Sequence, residues 1–222
     1  MVKRISTGVK GLDELIGGGV PEKDLVLLSG VSGAGKTVFG LQFLLSAAES
    51  EPGIFVSFEQ EIEQLRIIAR NFGWPVDALE KKDKVRFLKY DPFRIEDILE
   101  VIENNIRETG AKRIVIDSVS SLGIYIHDEG ELRRMMLMIS SLMRKNGCTS
   151  LLISEVVGEG LSRFGVEEFL TDGVILLNNK FMDGEYRRAL TVWKMRLTNH
   201  TRKIHSYEIT DKGIVVSAKT YK

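Results

Sequence analysis

The feature that most constrains this chain is the segment from Gly30 to Thr37, which reads Gly-Val-Ser-Gly-Ala-Gly-Lys-Thr. It follows the apolar run Leu25–Ser29 and opens a segment of helical period, Lys36–Ser46. A glycine-rich loop between a strand and a helix binds phosphate, because its backbone N–H groups converge on the anion and the helix N-terminus adds positive charge. The alternative is a chance glycine-rich turn, and the flanking strand and helix argue against it.

This loop predicts a site for ATP or ADP with Mg²⁺. Lys36 has the length to reach the β- and γ-phosphates, and the Thr37 hydroxyl can ligate the metal ion. The residues expected to contact the nucleotide form one continuous run: Gly30, Val31, Ser32, Gly33, Ala34, Gly35, Lys36, Thr37 and Val38.

A phosphate-binding loop of this kind, called a P-loop, also requires a carboxylate from a distant part of the chain to hold the metal. Asp117 ends the apolar run Arg113–Ile116, and ligands gather at the carboxyl ends of strands in open α/β sheets. The alternative for Asp117 alone is an acid that caps an ordinary turn. Glu59 ends another apolar run and can serve as the base that activates water. For Glu59, and for the nearby Glu61, a charge at the start of the next helix is an equal alternative.

Short apolar runs alternate with segments of helical period, which is typical of a mainly parallel sheet flanked by helices. The predicted strands are Leu25–Ser29, Ile54–Phe58, Val85–Tyr90, Arg113–Ile116, Thr149–Ser154 and Val174–Leu177. The predicted helices are Lys36–Ser46, Ile62–Asn71, Ile95–Arg107 and Glu131–Asn146. The chain is therefore expected to belong to the α/β class.

The pattern changes after Asn179 to alternating strands, predicted at Arg188–Leu197, Ile204–Ile209 and Ile214–Ser217. Asp183-Gly184 and Asp211-Lys212-Gly213 supply turns between them. No linker-like stretch precedes these strands, so we expect an antiparallel extension of the same sheet and a single domain over residues 1–222.

Composition limits the partners and the compartment. Lys plus Arg and Asp plus Glu both number 31, so the formal charge is zero and an obligate nucleic-acid binder is not favoured. Cys148 is the only cysteine, which favours a reducing compartment. The N-terminus has no apolar leader and no run has the length of a membrane span, so a cytoplasmic protein is expected.

Five motifs in order resemble the KaiC-like branch of the RecA-type ATPases, in its short single-domain form. They are the entry segment Thr7–Pro21, the strand Pro52–Glu59, the Walker B segment Asp117–Leu122, and the segments Arg163–Phe169 and Lys194–His200. The tail Ile209–Gly213 fits as well. The resemblance implies a RecA-like, mainly parallel twisted sheet with flanking helices. It also implies a homo-oligomeric ring, typically a hexamer, with ATP bound between subunits.

The resemblance further assigns roles to individual residues. Lys194 and Arg196 would act as finger residues on the γ-phosphate held by the neighbouring subunit. Positions two apart on a strand share a face, which agrees with this role, although a solvated strand face is the alternative. Ser154, with Glu155 after it, would sense the γ-phosphate between the two Walker sites. His200 falls at the histidine of the family's Thr-Ser-His motif.

Two departures from the family pattern change the expected activity. Gln60 stands where the family often has a second glutamate, so slow hydrolysis is expected. The circadian clock protein of this family has a phosphorylated Ser-Thr pair, and Glu168-Phe169 stand at that place here, which argues against a cycle of autophosphorylation.

Three functions remain open at this point. The first is an oligomeric, slow ATPase that regulates an assembly or a partner protein. The second is a nucleotide-gated binding module with little hydrolysis. The third, a recombinase-like DNA-acting factor, ranks last because the loops Leu122–Gly130 and Val156–Gly165 carry a single Lys or Arg, Arg163.

Overall fold

A computed structural model describes residues 2–91, 95–126, 128–182 and 184–220. Within them the strands are β1 (Arg4–Ile5), β2 (Val20–Pro21), β3 (Leu25–Gly30), β4 (Gly53–Ser57), β5 (Val85–Lys89), β6 (Arg113–Asp117), β7 (Thr149–Glu155), β8 (Gly173–Met182), β9 (Glu185–Met195), β10 (Ile204–Thr210) and β11 (Gly213–Thr220). The helices are α1 (Leu12–Leu15), α2 (Lys36–Leu45), α3 (Ile62–Asn71), α4 (Val76–Lys81), α5 (Ile95–Thr109), α6 (Val119–Gly123), α7 (Glu129–Lys145) and α8 (Glu167–Leu170).

One large sheet has the strand order β11-β10-β9-β8-β3-β7-β6-β4-β5, and β1 pairs with β2 separately. The strands from β8 to β5 in this order run parallel, whereas β9, β10 and β11 pair antiparallel. The predicted α/β sheet with a C-terminal antiparallel extension is therefore confirmed.

Both faces of the parallel strands are covered by helices, which is why these strands read as continuous apolar runs. On one face, α2 packs its buried Phe39 and Phe43 in the same core as Val26 and Leu28 of β3. On the other face, Leu25 and Leu27 share a core with buried residues of α5 and α7. Alternate residues of one strand thus belong to different cores.

The observed boundaries differ from the predicted ones mainly in the C-terminal half. β8 extends to Met182, and β9 begins at Glu185 but ends at Met195, two residues before the predicted end. Asp183, part of a predicted turn, lies outside the described residues. α7 begins at Glu129, two residues earlier than predicted, because the Asp128 carboxylate accepts a hydrogen bond from the Glu131 N–H at 2.8 Å.

Six short elements were not predicted: β1, β2, α1, α4, α6 and α8. Each is two to six residues long, too short for a hydrophobic period to repeat. Among the helices of the described residues, none combines the length and the apolar character needed to cross a membrane.

Candidate nucleotide site

The P-loop occupies the turn between β3, which ends at Gly30, and α2, which begins at Lys36. Gly35 has φ 87°, in the left-handed region, and a Cβ there would lie 2.7 Å from Cδ1 of Ile209. This position therefore requires glycine for its conformation and for the close approach of the C-terminal strand.

The Lys36 ammonium folds back over the loop. Its Nζ donates to the carbonyl oxygens of Gly30 at 2.9 Å and Val31 at 3.0 Å. Burial lowers the pKa of Lys36, and the negative charges of Glu155, Asp117 and Glu59 oppose this effect. An ammonium group has three N–H donors, so these two bonds fix its position and leave one donor.

Asp117 and Thr37 meet at the end of β6. The Thr37 hydroxyl donates to Oδ2 of the buried Asp117 carboxylate at 2.8 Å. Burial raises the pKa of Asp117 to about 6, while the Thr37 hydrogen bond opposes the shift and the Glu59 charge adds to it. A hydroxyl and a carboxylate beside a phosphate-binding loop are the oxygen ligands that Mg²⁺ prefers.

These two side chains fit a magnesium ion that is held together with the substrate. Among the described residues there is no group of three or more His, Cys, Asp or Glu side chains able to hold a metal by themselves. Mg²⁺ at nucleotide sites keeps waters and phosphate oxygens as ligands, so one or two protein oxygens suffice. Thr37 and Asp117 therefore have the chemistry and the position to hold such an ion.

Glu59 lies just past β4 and next to the Walker B turn. Its Oε1 accepts hydrogen bonds from the hydroxyls of Ser118, at 2.7 Å, and Ser121. The sequence pattern did not distinguish Glu59 from Glu61, and the structure separates them. Glu61 is the N-cap of α3 in a reciprocal capping box with Gln64, whereas Glu59 faces the Asp117 side of the site.

The prediction that Ser154 contacts the γ-phosphate is not supported. Strand β7 does lie between β3 and β6, as expected. However, Ser154 is fully buried, and its hydroxyl lies 3.3 Å from that of Ser120 and donates to Glu167 at 3.1 Å. Ser154 shares the face of Leu152, opposite to α2. The next residue, Glu155, is the one whose charge acts on Lys36.

Lys194 and Arg196 both reach the segment around α8. Lys194 Nζ donates to the Glu168 carbonyl oxygen at 2.7 Å, and Arg196 donates to Oδ1 of Asp172 at 3.2 Å. Burial lowers the pKa of Lys194, and the nearby Arg196 charge lowers it further. Arg196 was predicted to lie on the strand, but it follows the last strand residue, Met195.

Arg196 lies near the end of β3 that is opposite to the P-loop of the same chain, and Lys194 lies nearer the middle, level with Leu27. The Arg196 N–H bonds to the Asp172 carbonyl, and the Asp172 N–H bonds to the carbonyl of Leu25, the first residue of β3. Gly30 lies five residues further along β3, about 16 Å at the rise of a strand. Lys194 pairs with Val174, which lies on the face opposite to α2.

His200 lies beyond β9, and its Nδ1 is 2.7 Å from the Thr201 carbonyl oxygen. Two residues earlier, Thr198 accepts a hydrogen bond from Arg4 at 2.9 Å, which ties this loop to the N-terminal segment. Arg163 forms an ion pair with Glu155 at 2.8 Å, so the one arginine of the loop Val156–Gly165 is already paired.

Two residues of β10 that sequence reasoning missed support the P-loop. The Tyr207 hydroxyl donates to the Ala34 carbonyl oxygen at 2.6 Å, and Ile209 covers Gly35. The one signal that could have found Tyr207 is the alternation of the predicted strand, which puts it on the same face as Ile209. Nothing in the pattern indicated its partner, which lies 173 residues away in the chain.

The fold and the site define the class of the protein, a RecA-like P-loop ATPase. A sequence model of the family described as "ATPase: KaiC" matches residues 5–221. The UPF0273 protein of Thermotoga maritima is 39% identical and covers 97% of this chain and 96% of its own length. A UPF0273 protein of Pyrococcus furiosus is also 39% identical, with 97% and 94% coverage.

A solved structure gives the same result. The crystal structure of a KaiC-like protein from Pyrococcus horikoshii OT3 matches with a TM-score of 0.91 and 38% identity, over 98% of this chain and 100% of that one. The chain belongs to the KaiC ATPase family.

Proposed function

We propose that this chain is an oligomeric ATPase that hydrolyses ATP–Mg²⁺ slowly at the interfaces between subunits, and that its turnover regulates an assembly or a partner protein. One observation carries the proposal. The chain has two sets of groups suited to phosphoryl transfer, and Arg196 of the second set lies near the end of β3 that is opposite to the P-loop.

The first set binds and activates. Lys36 contacts the β- and γ-phosphates, and Thr37 with Asp117 holds Mg²⁺. Glu59 orients or deprotonates the attacking water. The Ser118 and Ser121 hydroxyls both bond to its Oε1, so they hold the carboxylate without occupying Oε2. These contacts support a role for Glu59 beside the Walker B turn, where a water in line with the γ-phosphate is expected.

The second set supplies positive charge to another subunit. A cation acting in trans stabilises the charge that develops on the transferred phosphoryl group. Trp193 (58% exposed) and Leu197 (73%) adjoin these cations in the sequence. Phe169 (65%) follows Glu168, whose carbonyl oxygen accepts from Lys194. Exposed apolar side chains around functional cations favour a surface that a second copy covers. A ring joins each P-loop to a neighbour's cations.

A second candidate, a nucleotide-gated binding module, has support from Gln60. Its side chain stands beside Glu59 but cannot accept a proton, so a single carboxylate is left for water activation. Slow turnover and near-absent turnover both agree with this arrangement.

The test combines size-exclusion chromatography with an ATPase assay, each with and without ATP–Mg²⁺. The proposal predicts a nucleotide-stabilised oligomer and measurable phosphate release. Lys36→Ala should abolish tight ATP binding while the fold is retained, and Lys81→Ala, at an exposed lysine on α4, is the matched control. Oligomers without phosphate release would favour the binding module, and unchanged ATP affinity in folded Lys36→Ala would reject the site.

A further inference from the structure

A fully buried carboxylate lies between the two sets of functional groups. Glu167 begins α8 and has no exposed surface. Its Oε1 accepts from the Ser154 hydroxyl at 3.1 Å, and its Oε2 accepts from the Ser162 hydroxyl at 2.7 Å and the Val166 N–H at 3.2 Å. A carboxylate taken out of water is costly unless such donors surround it. The donors therefore hold Glu167 in one position.

On one side, this carboxylate connects to the Walker B turn. The Ser154 hydroxyl lies 3.3 Å from the Ser120 hydroxyl, and Ser120 accepts from the Glu155 N–H at 2.8 Å. Ser120 belongs to α6, whose N-cap Ser118 also donates to Glu59.

On the other side, the residue next to this carboxylate contacts Lys194. The residue after Glu167 is Glu168, whose backbone carbonyl accepts from Lys194 Nζ at 2.7 Å. The Glu168 side chain also lies within hydrogen-bond distance of the Ser162 hydroxyl, whose single proton is shared between the two carboxylates. One of the three N–H donors of Lys194 is thereby directed at α8, and the other two remain for a phosphate of the neighbouring subunit.

We propose that Glu167 is a positioning residue for Lys194: by anchoring α8 to the end of β7, it holds the Glu168 carbonyl where it orients the ammonium group for action in trans. This inference rests on the proposed function. Glu167 itself touches neither nucleotide nor metal. Its loss should weaken the action of Lys194 on the nucleotide of the neighbouring subunit. It should leave the P-loop of the same subunit unaffected.

The test uses mixed oligomers, because each active site combines the P-loop of one subunit with the finger of another. Glu167→Ala subunits are mixed with Lys36→Ala subunits, which keep a finger, and separately with Lys194→Ala subunits, which keep a P-loop. We expect Glu167→Ala alone to lose activity about ten- to a hundredfold, the range for a misplaced catalytic group. Activity should return with Lys36→Ala and should not return with Lys194→Ala.

Three further measurements separate positioning from general damage. The affinity of Glu167→Ala for a fluorescent ATP analogue should equal that of the unmodified protein. Glu159→Ala, which removes an exposed carboxylate from the loop between β7 and α8, should be fully active. Glu167→Gln keeps an acceptor for Ser162 and Val166, so it should lose less ATPase activity. Its activity should depend in the same way on which mutant subunit it is mixed with. If Glu167→Ala does not fold, Glu167→Gln decides the question.

Each other outcome overturns the inference. Recovery with Lys194→Ala instead would assign Glu167 to the P-loop side. Recovery with neither partner, or no loss in either Glu167 variant, would make the residue a purely structural or a neutral one. The reference mixture of Lys36→Ala with Lys194→Ala must gain activity. If it does not, the interface function fails and the inference fails with it.

Discussion

Replacing Tyr207 by Phe removes one hydroxyl that ties the C-terminal extension to the P-loop. The Tyr207 hydroxyl donates to the Ala34 carbonyl oxygen at 2.6 Å in a buried environment. The carbonyl of Ala34 and the N–H of Gly35 belong to one planar peptide unit. Fixing the carbonyl therefore also fixes the direction of a loop N–H group that is expected to face the phosphates.

The expected loss has two components. A hydrogen bond contributes about 0.5–1.5 kcal/mol, and a buried carbonyl left without its donor costs roughly 1–3 kcal/mol. Since the loop can relax toward water, we expect the free energy of unfolding to fall by about 1–2 kcal/mol, which for a chain of this length lowers the midpoint of thermal unfolding by about 2–8 °C. A less ordered loop should weaken ATP affinity about three- to tenfold, or roughly 0.7–1.4 kcal/mol.

The assay pairs thermal unfolding with titration of ATP–Mg²⁺ by isothermal calorimetry. Tyr186→Phe is the matched control, because it removes the hydroxyl of a tyrosine that is 71% exposed on β9. The control should change neither quantity. Reduced stability with unchanged ATP affinity would refute the argument that Tyr207 orders the phosphate-binding loop.

Two other substitutions test Glu59 in the site and Asp24, the residue that precedes β3. Glu59→Gln should keep ATP binding and lower kcat by roughly 10²–10⁴-fold, because an amide cannot accept the proton. An unchanged kcat in a phosphate-release assay would show that Glu59 is not the base that activates water. The pKa of Asp24 is raised to about 6, mainly by burial and to a smaller extent by the charge of Asp172. The Oδ2 atom of Asp24 is buried without a hydrogen-bond partner. A raised folded-state pKa means that the charged form destabilises the fold, so stability is lost as the pH rises from about 4 through about 6. Asp24→Asn should raise the unfolding midpoint at about pH 8 and leave it unchanged at about pH 4, and an equal effect at both pH values would contradict this reasoning.

The parts of the site that the sequence predicted are those encoded in short segments. The P-loop lies within one strand, loop and helix, and Asp117 ends a strand that is apolar on both faces. Strand-end positions in a parallel sheet converge at one edge, so their meeting follows from the fold class. The Thr37–Asp117 hydrogen bond agrees with that reasoning.

The parts that sequence reasoning missed depend on which face a residue takes or on distant pairing. Ser154 and Glu155 are adjacent and point to opposite faces, and the motif did not decide between them. The register of β8 with β9 shifts between Val174 and Ile175, an irregularity that the residue spacing alone did not indicate. The contact of Tyr207 with Ala34 joins distant segments, so no local pattern predicted it.

The most direct test of the account is a mixture of two inactive subunits. Arg196→Ala subunits keep the P-loop and should bind ATP nearly normally, and Lys36→Ala subunits keep the cations of the second set. Under conditions in which subunits exchange, each mixed interface can combine an intact P-loop with an intact Arg196.

The account predicts phosphate release above the sum of the separate mutants, with a maximum at intermediate mixing ratios. If no mixing ratio exceeds that sum, the active site does not form between subunits, and the central claim is wrong.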